Sequence, residues 1–489
     1  MSSPVVVIGA GANELVAAHC LARAGHRVLV LERGGAGDTQ SADDGWVAPR
    51  IARELRLEQH GLEIHRPDPW AAVPLAGGGR LELWQDMARS VEAIRHLNPE
   101  DAAKWPAFCE RMARLARLLE SVYLAPPPDP LSRGAGDLMQ LVRLGLRAKR
   151  LGRQGIEDLL RILPMPVADL LDDWFESDAL KGVLGAAGVM HLHQGPRSGG
   201  TAFNLLHGHV GNAPGVFRPA RSNLAQLLAG LAGVEIRRDA EIARIDVRAG
   251  RAAGVVLAGG HEIAASLVIS GADPRRSFEL VNSGWLDPEF LRAVRHIRCR
   301  GVAARLTFEL SRAPGFSTLV VAPSLDYLER AYDDAKYGRV SQQPYLEAGA
   351  TEPKPGRHRV AVHMQYAPYA LADGDWDEMR RDSLGDSVAR VISGHVPDFG
   401  AAVTARGILS PRDLEALEGW PEGQARHAEL ALDQILWMRP LPELARYRTP
   451  IAGLYLCGPA MHPGGGIAGA AGYHCSREVL RDFGRKSPG

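Results

Sequence analysis

Residues 4–8 form a short apolar run, rich in valine, that stops at Gly9. That is the pattern of a parallel strand buried on both faces. From 13 to 24 the period lengthens, with Leu15, Ala18, Leu21 and Ala22 on one helical face and Gly25 as the stop. Residues 27–31 are a second buried strand, followed by Glu32. Together these predict a β-α-β unit. Residues 50–215 read as a mostly helical insertion. A helix is expected over 101–119, a proline-rich break over 125–130, and a basic helix over 137–163 that Gly145, Gly152 and Gly155 weaken. A helix over 223–231 then leads into short strands at 234–237, 241–247, 252–257, 261–263 and 267–270. Such a meander, ending in an apolar strand, can return the chain to the first sheet. Residues 300–444 mix strands (303–310, 358–364) with a helix (376–392), and read as a second layer covering a ligand. The chain ends with a strand at 454–457, a glycine-rich loop and a helix to about 483. The expected fold class is α/β: a Rossmann-type domain with a parallel sheet and β-meander, beside an α+β substrate domain carrying a helical insertion. The expected division is 1–70 with 215–275 and 445–489 for the first, and 71–214 with 276–444 for the second.

Composition narrows the picture. A chain of 489 residues with 46% apolar side chains can build more than one core. Lys plus Arg and Asp plus Glu both total 57, so no global field favours nucleic acid, and nucleic-acid binding is not expected. Cys20, Cys109, Cys299, Cys457 and Cys475 are odd in number and form no C-x-x-C pair. That pattern argues against a disulfide framework or a metal site and fits a reducing compartment. No signal-peptide pattern and no apolar run of about 18 residues is seen. The expected location is the cytoplasm.

The first chemistry lies in the turn Gly9-Ala10-Gly11. Gly9 permits a tight turn, Gly11 lets a pyrophosphate approach the backbone, and the following helix offers free N–H groups. Glu32 ends the second strand, where a carboxylate holds both ribose hydroxyls and disfavours a 2′-phosphate. The third position of the fingerprint departs from glycine: it is Glu14. The passage from Gly453 through Gly458, Gly464, Gly465 and Gly466 to Gly472 is a second glycine-rich strand-to-helix crossing. A nicotinamide dinucleotide needs one such crossing. FAD is long enough to use two, one under its ADP half and one under the ribityl chain and flavin.

These segments resemble the phytoene desaturase-related flavoproteins, the carotenoid-dehydrogenase-like and pyridine nucleotide-disulfide oxidoreductase-like branch of the amine oxidase superfamily. The similarity spans almost the whole chain. Its marks are 7–13 with 31–33, 200–207, 268–274, 438–440 with 447–450, and 454–458 with 462–466. The resemblance implies FAD as cofactor. Gly9, Gly11, Asn13, Glu32 and Arg33 would hold the ADP part, and Ile242 would meet the adenine region through its backbone. Gly458 would lie by the pyrophosphate, with Gly466 and Ile467 at the pyrimidine side of the flavin. Relatives carry a Gly-Gly pair after the second strand; here the run is Gly34-Gly35-Ala36-Gly37-Asp38, which brings a further carboxylate toward phosphate.

A flavin carries the hard step itself, so the protein need only place a C–H bond and exclude water. The expected activity is dehydrogenation of a C–C or C–N bond of a largely apolar small molecule. The alternatives are a redox-neutral isomerase using reduced FAD and a flavin-binding protein that acts through partners. Histidines cluster at His191, His193, His207 and His209, and again at His462 and His474. His207 and His462 are the candidates for proton relay. Arg143, Arg147, Lys149, Arg150, Arg153 and Arg161 make 138–163 a candidate peripheral membrane surface. The electron acceptor, whether oxygen, quinone or NAD(P), and the oligomeric state stay open.

Overall fold

The computed structural model describes residues 3–34, 43–128 and 134–485. Residues 35–38, which carry the Gly-Gly departure and Asp38, lie outside the described residues. A five-stranded parallel sheet runs in the order Leu454–Leu456, Leu267–Ser270, Val5–Ile8, Val28–Leu31 and Glu235–Arg237. Val5 pairs with both Val28 and Leu267, so the first strand of the chain is the sheet's centre. All four of its residues are buried, as a strand covered on both faces requires. Helix Ala12–Arg23 packs on one face, and the C-terminal helix Ala470–Arg485 packs against that helix. Two glycines permit the close approach. A Cβ at Gly472 would overlap the Asn13 carbonyl, and one at Gly469 would press on Val16. Strands Ile242–Arg248, Arg251–Leu257 and Glu262–Ala264 form the antiparallel meander that leads back into the sheet.

The second sheet is antiparallel, in the order Thr318–Val321, Tyr345–Lys354, Arg357–Gln365, Ala303–Leu310 and Val403–Leu409. Its pleat divides its side chains between two faces. Ala304, Leu306, Phe308 and Leu310 are buried and join Leu384, Val388 and Ile392 of helix Glu378–Ser393 in a separate hydrophobic core. The alternate residues turn to the other face, and there Arg305 stands directly across from His363.

The stretch expected to be mostly helical also holds a hairpin, Ala71–Pro74 paired with Arg80–Leu83. Gly78 and Gly79, both at positive φ, supply its turn. The expected helix over 137–163 is two helices, Ala135–Arg150 and Gly152–Ile162, because the backbone reverses at Gly152 with φ +71°. Between 300 and 444 three more strands appear than the pattern indicated: Thr318–Val321, Tyr345–Lys354 and Val403–Leu409. The last has almost no buried residue to reveal its period. Among the described residues no helix is long and apolar enough to cross a membrane.

Candidate cofactor site

The turn after the first strand has the geometry a dinucleotide needs. Gly9 sits at φ +97°, a left-handed conformation that favours glycine. Helix Ala12–Arg23 starts without a side-chain cap at Gly11, so its first N–H groups are left for a ligand. The Ala10 N–H donates to Glu32 Oε2 at 2.6 Å, which pins the carboxylate at the mouth of the turn. Glu32 also joins the next element, its carbonyl accepting from Ala240 N–H at 2.8 Å. That bond brings Ile242, buried at the start of its strand, to the same edge of the sheet. Arg33 points elsewhere. Its guanidinium donates to the Ala416 and Leu417 carbonyls at 2.6 and 2.8 Å, at the end of helix Pro411–Glu418.

Glu14 is 5% exposed, and its carboxylate is sealed against Gly11 and Gly271. The Cys457 thiol faces its Oε1 at 4.0 Å. The glutamate fills the gap between helix and sheet that glycine usually leaves closed, and Gly271 lacks the Cβ that would collide with it. Gly458 packs equally close: a Cβ there would overlap the Gly271 carbonyl. The two glycine-rich passages therefore meet at adjacent strand ends.

The second passage is held by contacts from across the chain. Gly45 bridges to Gly466, Trp46 N–H donates to the Gly466 carbonyl at 2.9 Å, and Ala468 N–H donates to the Trp46 carbonyl at 2.9 Å. Gly472 N–H donates to Asn13 Oδ1 at 3.4 Å, tying the start of the last helix to the first turn. Ile467 is buried behind the loop. A cleft of about 350 Å³, lined in part by Trp46, Val47, Leu62, Ile64 and Val210, opens beside Gly45.

Helix Thr201–His209 presents Asn204 and His207, three residues apart, to that loop. His207 Nε2 meets the Gly465 carbonyl at 2.8 Å and its Nδ1 meets the Tyr123 hydroxyl at 2.8 Å. A carbonyl can only accept, so Nε2 carries the hydrogen and the tyrosine donates to Nδ1. Burial and the nearby Arg426 hold the ring neutral, with its pKa pushed down to about 3. Both nitrogens are spent on holding the loop, which leaves His207 none for a proton relay. His462 is fully buried beside Tyr123 and His474, and neither ring nitrogen has a hydrogen bond of ordinary geometry. Its pKa is pushed down to about 3 by burial first, then by His474 and Arg439. Burial among Tyr123, His474 and Arg439 thus disfavours a charged His462 ring.

Four supporting residues escaped the sequence reading. Asn204 Nδ2 donates to the Gly188 and Met190 carbonyls at 3.0 and 3.1 Å, while its Oδ1 accepts from Arg426 at 3.1 Å. Arg426 lies against Gly465. Arg439 lies against Gly464 and is fully buried. It donates to the carbonyls of Ala428, Glu429, Gln434, Pro459 and Met461, and burial lowers its pKa to about 9. Tyr123 completes the set. The available signal was an asparagine and a histidine at helical spacing in an apolar segment, and a lone arginine in the run 438–440.

The residues present fit a dinucleotide with two backbone cradles, and the comparisons agree. Residues 4–60 match the FAD binding domain family. The chain is 32% identical to "Pyridine nucleotide-disulfide oxidoreductase domain-containing protein 2" of Rattus norvegicus, over 98% of this chain and 93% of that protein. It is 27% identical to a limonene dehydrogenase subunit of Castellaniella defragrans, covering 98% and 95% of the two chains. With "Phytoene desaturase (neurosporene-forming)" of Cereibacter sphaeroides it shares 24% over 99% and 95%. Among solved structures, putrescine oxidase matches with a TM-score of 0.59 at 14% identity, over 99% of this chain and 100% of that one. Cyclohexylamine oxidase from Brevibacterium oxydans matches with a TM-score of 0.57 at 12% identity, covering 99% of each chain. These two likenesses show the fold. The turn with Glu32, the second glycine passage and relatives matched along nearly the whole chain place this protein in the phytoene desaturase-related family of FAD flavoproteins, as an FAD-dependent oxidoreductase.

Proposed function

We propose that this oxidoreductase dehydrogenates a C–C or C–N bond of a largely apolar small molecule. The observation that carries the reading is the junction of the two glycine-rich passages, with an uncapped helix and Glu32 at one end and the loop Gly464–Gly466 at the other. When bound, FAD would supply the two-electron acceptor, taking the electrons as a hydride. The chain's residues supply position. Glu32 and the Ala12–Arg23 helix would hold the adenosine and pyrophosphate, while Asn204, His207, Arg426 and Arg439 keep the second loop in place. The relatives named for limonene dehydrogenation and phytoene desaturation support an apolar substrate, as does the cleft at Trp46 and Ile64.

Purified protein should be yellow, release FAD identifiable by mass, and bleach with dithionite. Limonene and phytoene, added without oxygen, are the first substrates to try. Bleaching with a product two hydrogens lighter supports the reading. A product of unchanged mass, formed only after prior reduction, points instead to an isomerase. Colourless protein that refuses added FAD sinks both.

We further propose that helices Ala135–Arg150 and Gly152–Ile162 contact membranes peripherally. Leu138, Met139, Val142, Leu146 and Leu160 are exposed, the last by 66%, among the arginines of the same helices.

A further inference from the structure

Glu14 stands where the dinucleotide fingerprint has its third glycine, and its side chain folds back against the turn. A Cβ at Gly9 would lie 3.3 Å from its Cγ, and one at Gly11 2.6 Å from its Oε2. A Cβ at Gly271 would overlap its Oε1. The carboxyl group therefore spans two neighbouring strand ends. One is that of Val5–Ile8, which leads into Gly9, and the other is that of Leu267–Ser270, which leads into Gly271. Glycine at all three positions makes the room. A titratable group, 5% exposed, is thus built into the turn that would receive the pyrophosphate.

Titratable groups face this carboxyl group from each element around it. On its own helix, Glu14 is the acidic residue of the first turn. Across the turn, Glu32 accepts from the Ala10 N–H at 2.6 Å. Beyond Gly271, the Asp273 carboxyl accepts from the Arg276 N–H at 3.1 Å, and burial raises its pKa to about 6. From strand Leu454–Leu456, the Cys457 thiol donates to Oε1 at 4.0 Å. Burial first, then Glu14 and Cys475, push that thiol well above its usual value. Cys475, on the last helix, is raised chiefly by burial, with Glu14 adding to it. Both thiols stay neutral.

Two effects oppose each other on the Glu14 charge. The N-terminus of helix Ala12–Arg23 favours an anion in its first turn, and in the free protein Glu14 supplies one. Burial favours the neutral acid. A dinucleotide tips that balance. Its pyrophosphate brings negative charge to the same helix start and takes the N–H groups there. An ionised Glu14 then loses the helix end and gains a like-charged neighbour, and both changes act in the same direction as burial. We propose that FAD binding and ionisation of Glu14 exclude one another, so that the apoprotein takes one proton from solvent onto Glu14 as it takes up FAD. Glu14 is thereby an affinity-determining residue for the cofactor. Because binding favours the protonated side chain, FAD affinity rises as pH falls, by at most about tenfold per pH unit for one linked proton.

Two measurements test this. The apoprotein is titrated with FAD at fixed ionic strength between about pH 6.5 and about pH 9, and binding is read by flavin fluorescence quenching. Wild-type affinity should weaken toward the alkaline end by several-fold to about tenfold per pH unit. Glu14→Gln keeps the shape of the neutral acid and cannot ionise. It should bind FAD at least as tightly as wild type does at the acid end, and hold that affinity across the range. Parallel profiles in the two proteins overturn the coupling. The second measurement needs no variant. Calorimetry of wild-type apoprotein with FAD at about pH 8, in two buffers of different ionisation enthalpy, counts the protons exchanged. Uptake of about one proton per FAD supports the coupling, and no uptake overturns it. Neither readout uses a substrate, so failure here leaves the dehydrogenase reading standing. Apoprotein that refuses FAD at every pH overturns the cofactor assignment and the coupling with it.

Discussion

Acid should loosen this protein through histidines buried neutral around the second glycine loop. His207 and His462 have their pKa values pushed down to about 3, and His474 to about 4, in each case chiefly by burial. The sign follows from linkage. Each folded-state value lies below the unfolded value, so between about pH 6.5 and pH 4 the unfolded chain binds protons that the folded chain refuses. Stability therefore falls as pH falls through that window. From pH 7 to pH 5 each ring costs about 2 kcal/mol, and the three together about 6 kcal/mol. Asp273 works the other way. Burial raises its pKa to about 6, so it gives back about 1 kcal/mol over the same range. The clean perturbation is His462→Phe, which keeps a ring beside Tyr123 and His474 and loses no hydrogen bond of ordinary geometry. Urea unfolding of the apoprotein, followed by tryptophan fluorescence at pH 7 and pH 5, measures the loss for each protein. The variant should lose about 2 kcal/mol less than wild type. Equal losses would mean that His462 is protonated in the folded protein, and the argument from burial would be wrong.

Glu32→Ala removes the acceptor of the Ala10 N–H and the ribose-facing carboxylate; FAD affinity, measured by flavin fluorescence quenching, should fall about 10–100-fold. An unchanged affinity would detach Glu32 from the cofactor. Gly458→Ala places a methyl on the Gly271 carbonyl and should destabilise the fold by about 1–3 kcal/mol in thermal melts. Vesicles of anionic lipid should pull down the protein at low salt, and Leu138→Glu with Leu146→Glu should abolish this. No binding by wild type ends the membrane proposal.

The local devices were readable because they depend on near neighbours. A strand that stops at Gly9, a helix that starts uncapped and a carboxylate at Glu32 are consequences of period, glycine and charge over some thirty residues. So was the return of an apolar strand to the first sheet, where Leu267–Ser270 pairs in register with Val5–Ile8. Elements with weak period were lost, as with Val403–Leu409 and the hairpin at Ala71–Pro74.

What each polar side chain does was decided by contacts distant in sequence. Nothing local separates His191 from His207 or His462, since each stands in a glycine-rich or apolar stretch. The fold gives the Gly465 carbonyl to His207, buries His462 beside Tyr123 and His474, and sets His191 in the lining of a small cavity with Arg305 and His363. The same holds for Glu14, whose carboxylate found room only because Gly271 came to rest beside it. Backbone propensity is a property of a segment, and the sequence alone determined it here. The protonation state and reach of a buried group depend on desolvation and on partners from other segments, and only tertiary packing settled those.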